Sequence, residues 1–255
     1  VVAWAEWLSP GLVQLKQLQF LKTFDDFVLT LKSQPSWLGG FDLPFGLPRS
    51  LVTHLGWPLT YAACMAHYCA MTRPQIRECF KQFCDARPVG AKFAHRQTDV
   101  PAQSSPSMKW VNPPVAYMMH AGVPLLLKSD VTLVGLLTQD PHKNALEAYP
   151  GLLAKEVLGS RSYKSDDKAK QTPERLIARK DLLHALELGQ TRWGLRLKLS
   201  HAQREALIED ASGDTLDAVI CAYQAAWALT QHRQGDALFG LPHDMDPLEG
   251  WIIGA

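Results

Sequence analysis

Val1 to Leu8 is apolar at almost every position and reads as a strand covered on both faces. Ser9-Pro10-Gly11 turns the chain, and Leu12 to Phe20 mixes Leu with Gln and Lys, the pattern of an outer antiparallel strand. Thr23 caps a helix whose apolar positions Phe24, Phe27, Val28 and Leu31 follow helical spacing. Trp37 to Leu43 predicts another strand, stopped by Pro44, with Asp42 at its carboxyl end. Helices follow over Leu59–Ala70 and from Pro74, where Ile76, Cys79, Phe80 and Phe83 fall in register. Periodicity vanishes from Ala86 to Asn112, a long loop of the functional or mobile kind. Pro113-Pro114 opens a short helix that Gly122 and Pro124 close. Leu125–Leu127, Val131–Leu137 and Ala145–Ala148 read as strands. Thr172-Pro173, the capping box Ser200-x-x-Gln203 and Asp214 each begin a helix, the last running to about Thr230. These elements predict one α/β domain over residues 1–255, with a helical and loop insertion over about 51–124.

Composition narrows the class. The 255 residues are 47% hydrophobic and 20% charged, which excludes wholesale disorder. Twenty-six basic against 25 acidic side chains give a net charge of +1, so any affinity for nucleic acid must come from a local patch. No apolar run reaches the roughly 18 residues of a spanning helix, and no membrane role is expected. Five cysteines, Cys64, Cys69, Cys79, Cys84 and Cys221, match neither a disulfide framework nor a zinc motif. They read as buried thiols of a reducing, cytoplasmic compartment.

Four carboxylates stand out by position. Asp42 ends a strand, where open α/β sheets place ligands. Glu147 lies inside an apolar strand, where an acid is costly unless one Arg or a metal meets it. Asp214 and Asp217, three apart, share a face at the start of the last helix. Each has a plainer reading, as a turn acid for Asp42 and as helix-dipole partners for Asp214 and Asp217. Converging at one sheet end, the four would repel one another, and Mg²⁺ or Mn²⁺ would relieve that repulsion.

Basic groups surround these positions. The stretch from Arg161 to Lys180 carries a local excess of cations that includes Lys164 and Arg179. Lys164 reads as a phosphate ligand. Arg179 falls within the stripe of Leu176, Leu183 and Leu186, so its guanidinium should be partly buried against an anionic partner, which is a site carboxylate, a structural group or a bound phosphate of the substrate. Lys92, His95 and Arg96 lie in the long loop with Trp110, a mixture suited to a nucleic acid strand or to a small phosphorylated ligand. Arg49, just beyond Asp42, is a further phosphate candidate.

Phe41-Asp42-Leu43-Pro44-Phe45-Gly46-Leu47-Pro48, Glu147-Ala148-Tyr149-Pro150, Tyr163-Lys164 and Asp214-Thr215-Leu216-Asp217-Ala218 resemble the hallmark segments of the DUF429 family. The likeness spans Trp37 to Trp251. That family is described as predicted nucleases with an RNase H-like fold, a mixed sheet flanked by helices. The resemblance implies a metal-dependent phosphodiester hydrolase, with Asp42, Asp214 and Asp217 at positions matching the acids of Holliday-junction resolvases and Glu147 as an addition. It also implies that Val1–Leu8 is the second strand of the fold, with the first strand and its Asp upstream. A gap or irregular contact between Val1–Leu8 and Trp37–Leu43 is therefore expected. A non-catalytic module binding nucleic acid or a partner, and a hydrolase of a small phosphorylated molecule, are the alternative functions. The sequence leaves the oligomeric state open.

Overall fold

The structure is a computed structural model describing residues 1–255. In chain order it contains β1 (Val2–Ser9), β2 (Leu12–Gln19), α1 (Phe24–Ser33), β3 (Trp37–Phe41), α2 (Arg49–His54), α3 (Tyr61–Ala70), α4 (Arg73–Asp85) and α5 (Val115–Lys128). Then come β4 (Val131–Leu133), β5 (Asp140–Glu147), α6 (Pro150–Leu158), α7 (Pro173–Leu188), β6 (Arg196–Lys198), α8 (His201–Glu209) and α9 (Asp214–Arg233). The class is α/β, as the alternation of apolar periods predicts.

Two compact units divide the chain, and each is assembled from two separated stretches. The first comprises Val1–Lys22 and Ala148–Phe239. Its sheet has the order β1-β2-β6, antiparallel between β1 and β2 and parallel between β2 and β6. Alternate residues of a strand face opposite ways, so Val13 and Leu15 of β2 and Leu197 of β6 turn inward together. They pack with Leu182, Leu183 and Leu186 of α7 and with Leu216, Val219, Ile220 and Tyr223 of α9. β1 departs from the sequence reading, since every residue in it is half-buried or exposed. The strand has only one neighbour. Trp7 donates to the Thr230 hydroxyl of α9 at 2.9 Å and lies under the Arg233 guanidinium.

The second unit comprises Thr23–Glu147 and Gly240–Ala255. Its sheet is parallel throughout, with the order β3-β5-β4. Helices α2 to α5 supply most of its core, with Phe45, Leu51, Met65, Tyr68, Phe80, Met119 and Leu126 all buried. The terminal segment contributes Leu248 to that core and joins the sheet by a bridge from Ile252 to Glu147. β1 and β3 belong to different sheets and are not paired with each other.

Capping chemistry set several boundaries. Thr23 with Asp26, Thr72 with Gln75 and Ser200 with Gln203 each form a reciprocal capping box. Several bounds differ from the sequence reading: β3 stops at Phe41, β4 at Leu133, and β5 begins at Asp140. One segment changes type. α5 passes through Gly122 and Pro124 to Lys128, so Leu125–Leu127 is helix and not strand. Met119, Val123 and Leu126 are all fully buried on this helix. Their burial outweighs the roughly 3 kcal/mol that an interior proline costs.

Candidate functional site

The end of β3 brings the chain to Asp42, which is exposed. The following residues then turn inward, and the Phe45 N–H donates to Glu147 Oε2 at 2.9 Å. Glu147 is the last residue of β5 and pairs with Phe41 across the ladder. Its carboxylate meets Arg96 from the long loop in a bidentate bridge, 2.7 Å to each oxygen. The same guanidinium bonds Asp99 Oδ1 at 2.9 Å and the Glu249 carbonyl at 3.1 Å. The Arg96 side chain is 1% exposed and that of Glu147 is 3% exposed. Burial pushes the Glu147 carboxyl above its ordinary range, and Arg96 offsets part of that shift. Burial also opposes the Arg96 charge, but Glu147 and Asp99 outweigh it and raise the Arg96 pKa.

Two sequence assignments are corrected here. Glu147 does not fit a metal ligand, because both of its oxygens are engaged by a guanidinium that is itself buried. Arg96 does not reach a ligand from the loop, because it is the buried counterion of Glu147 and Asp99. The plainer alternative for Glu147, a single Arg partner, is the arrangement found. Arg49 is also engaged: its guanidinium grips Asp246, and its backbone N–H donates to Glu249 Oε1 at 2.7 Å. Lys92 and His95 are exposed on the same loop as Arg96.

The first unit holds the other acids. Gly213 precedes α9 with φ +78°, a left-handed conformation that suits glycine. A Cβ there would stand 2.7 Å from Cβ of Lys164. This close approach sets Lys164 beside the first turn of α9, where its ammonium meets Asp217 Oδ2 and the Tyr163 hydroxyl donates to Oδ1. Asp217 is 9% exposed and Lys164 is 41% exposed. Burial raises the Asp217 pKa, with Lys164 and Tyr163 acting against it. Asp214, one turn earlier, is exposed. The two acids are thus neighbours of unlike burial.

The 163–165 segment is anchored from both sides. Arg179 donates to the carbonyls of Tyr163 (2.8 Å) and Ile208 (2.6 Å), Arg175 donates to the Lys164 carbonyl, and the Ser165 N–H reaches the Ala211 carbonyl at 3.1 Å. Arg179 is buried as expected, but carbonyl oxygens hold it in place of a carboxylate, so it positions Tyr163 and is not placed to grip a phosphate. Two of the basic groups nearby are paired on the surface, Arg161 with Asp181 and Lys170 with Asp167.

Asp42 and Glu147 belong to the second unit, and Asp214 and Asp217 to the first. No group of three or more His, Cys, Asp or Glu side chains is assembled to hold a metal ion. Sequence reasoning passed over Asp246 and Glu249, although two acids in the apolar tail segment Met245–Gly250 were a visible signal. It also passed over Asp210, whose carboxylate accepts from the hydroxyls of Ser212 (2.6 Å) and Thr215 (2.7 Å) and fixes the approach to α9. No family model, curated protein or solved structure matches the chain.

Proposed function

We propose that the chain is a divalent-metal-dependent phosphodiester hydrolase, a nuclease acting on DNA or RNA, on an RNase H-like variant of the α/β class. The observation that carries this reading is the first turn of α9, where Asp214 is open to water and the neighbouring Asp217 is met by a half-exposed lysine. The resemblance in the Asp-Leu-Pro-Phe-Gly-Leu-Pro, Tyr-Lys and Asp-x-x-Asp segments supports it.

Of the two acids only Asp214 offers an open carboxylate to a hard ion such as Mg²⁺ or Mn²⁺, since Tyr163 and Lys164 occupy both oxygens of Asp217. Asp214 would hold the ion, joined by Asp217 only once Lys164 gives up its contact, and the ion would supply Lewis acidity at the phosphate. Tyr163 orients the Asp217 carboxylate through its hydroxyl. Lys164 is exposed enough to exchange its contact with Asp217 for a phosphate oxygen of the substrate. Arg175 and Arg179 keep the backbone of Tyr163 and Lys164 in register through their carbonyls.

A second reading, a non-catalytic module binding nucleic acid or a partner, is favoured by one specific observation. Asp217 and Glu147 are each already neutralised within their own unit. Calorimetric titration with Mn²⁺ and cleavage assays on single-stranded, duplex and branched substrates separate the two. The hydrolase reading expects Mn²⁺ binding and cleavage, with Asp214→Asn lowering the rate by ~100-fold or more. Substrate binding without Mn²⁺ uptake or cleavage selects the second reading. Cleavage that persists in Asp214→Asn removes this turn as the site.

A further inference from the structure

We propose that the open edge of β6 receives an acidic segment of a partner protein, added to the first unit's sheet as a further strand. β6 is the last strand in the order β1-β2-β6, so it has a neighbour on one side only. The Arg196 N–H donates to the Gly11 carbonyl on the β2 side at 2.9 Å. Peptides alternate in direction along a parallel strand, so the next one, at Leu197, faces the open side.

A cleft of about 520 Å³ borders this strand. Arg196, Leu197 and Lys198 line it together with His184, Glu187 and Leu188 of α7. Leu12, Leu188 and Leu199 add apolar surface, and Leu188 is 46% exposed. These are the ingredients of strand addition: the N–H and C=O of Leu197 on the open side and flanking apolar positions for alternate side chains.

Charge selects the partner. The one carboxylate in the cleft, Glu187, is bonded to Arg204 at 3.1 Å. Arg196 donates to a backbone carbonyl of Glu187 at 3.3 Å and is paired with no acid. Two basic side chains, Arg196 and Lys198, therefore border an apolar floor, and an extended segment alternating acidic and apolar residues complements both.

The test uses the full chain and a fluorescent octapeptide of alternating Glu and Val, read by anisotropy. Saturable binding is expected, at least ~10-fold weaker for the Lys/Val counterpart and for the double variant Arg196→Glu, Lys198→Glu. Both substituted positions are exposed, and circular dichroism checks that the variant folds. An octapeptide N-methylated at alternate residues keeps its charge and loses its strand donors, and it should bind at least ~10-fold more weakly. Equal binding of the N-methylated peptide, equal binding of the Lys/Val peptide, full retention by the double variant, or no binding up to about 1 mM each overturns the proposal. Displacement of the octapeptide by inorganic tripolyphosphate alone would mark a simple anion patch and overturn it as well.

Discussion

Arg96 shows how much one side chain can join when water is excluded from it. Its guanidinium links the loop to β5 through Glu147 and to the terminal segment through the Glu249 carbonyl. Removing it strands two buried carboxylates, Glu147 and Asp99. Arg96→Ala is expected to lower stability by about 3–5 kcal/mol, read from urea denaturation. Arg96→Lys should restore little, because an ammonium cannot span Glu147 in a bidentate bridge. At Asp210, burial opposes the charge, yet the hydrogen bonds of Ser212 and Thr215 hold the carboxyl below the usual range. The folded state then binds its proton less readily than the unfolded chain. The stabilisation is present above about pH 4 and is lost as pH falls through the depressed folded value. Denaturation midpoints compared at pH 5 and pH 3 should fall less in Asp210→Asn than in the parent chain.

At the scale of elements, the loop after β3 depends on a missing side chain. A Cβ on Gly46 would stand 2.3 Å from the Leu248 carbonyl oxygen and 2.5 Å from that of Glu249. Neither is the tip of a movable side chain, so Gly46→Ala must push two backbone segments apart. A loss of about 2 kcal/mol or more is expected, seen as a lowered Tm. Local signals made many elements legible. Thr23, Thr72 and Ser200 sit at helix starts because their hydroxyls satisfy backbone donors within three residues. The end of α5 was not legible, because the burial of Val123 and Leu126 that carries the helix past Pro124 depends on distant residues. The same limit applied to chemistry. Glu147 was recognised as an acid needing a partner, but its partner lies 51 residues away in a stretch without periodicity. Arg96 looked like a ligand-gripping residue for that reason. The Tyr163-Lys164 and Asp214–Asp217 segments were legible as motifs, and their mutual contact was not.

Across the whole molecule, each unit has its own core and its own ion pair, fully buried at Arg96 in the second unit and half-exposed at Lys164 in the first. A lesion at Arg96 should therefore register mainly within the second unit. Hydrogen exchange of Arg96→Ala is expected to quicken in β3, β5 and the 240–255 segment, with α7 and α9 little changed. Uniform quickening in both units would show that they open together.

The terminal segment carries a consequence for synthesis. Residues 23–147 contain every strand of the second unit, yet Leu248, Ile252 and the Glu249 carbonyl that complete it come from the far end of the sequence. A ribosome delivers those residues only after the whole of the first unit has been made. The second unit, begun early, must wait with its Arg96 pocket unsealed, so a chaperone that shields nascent chains would meet it in that state.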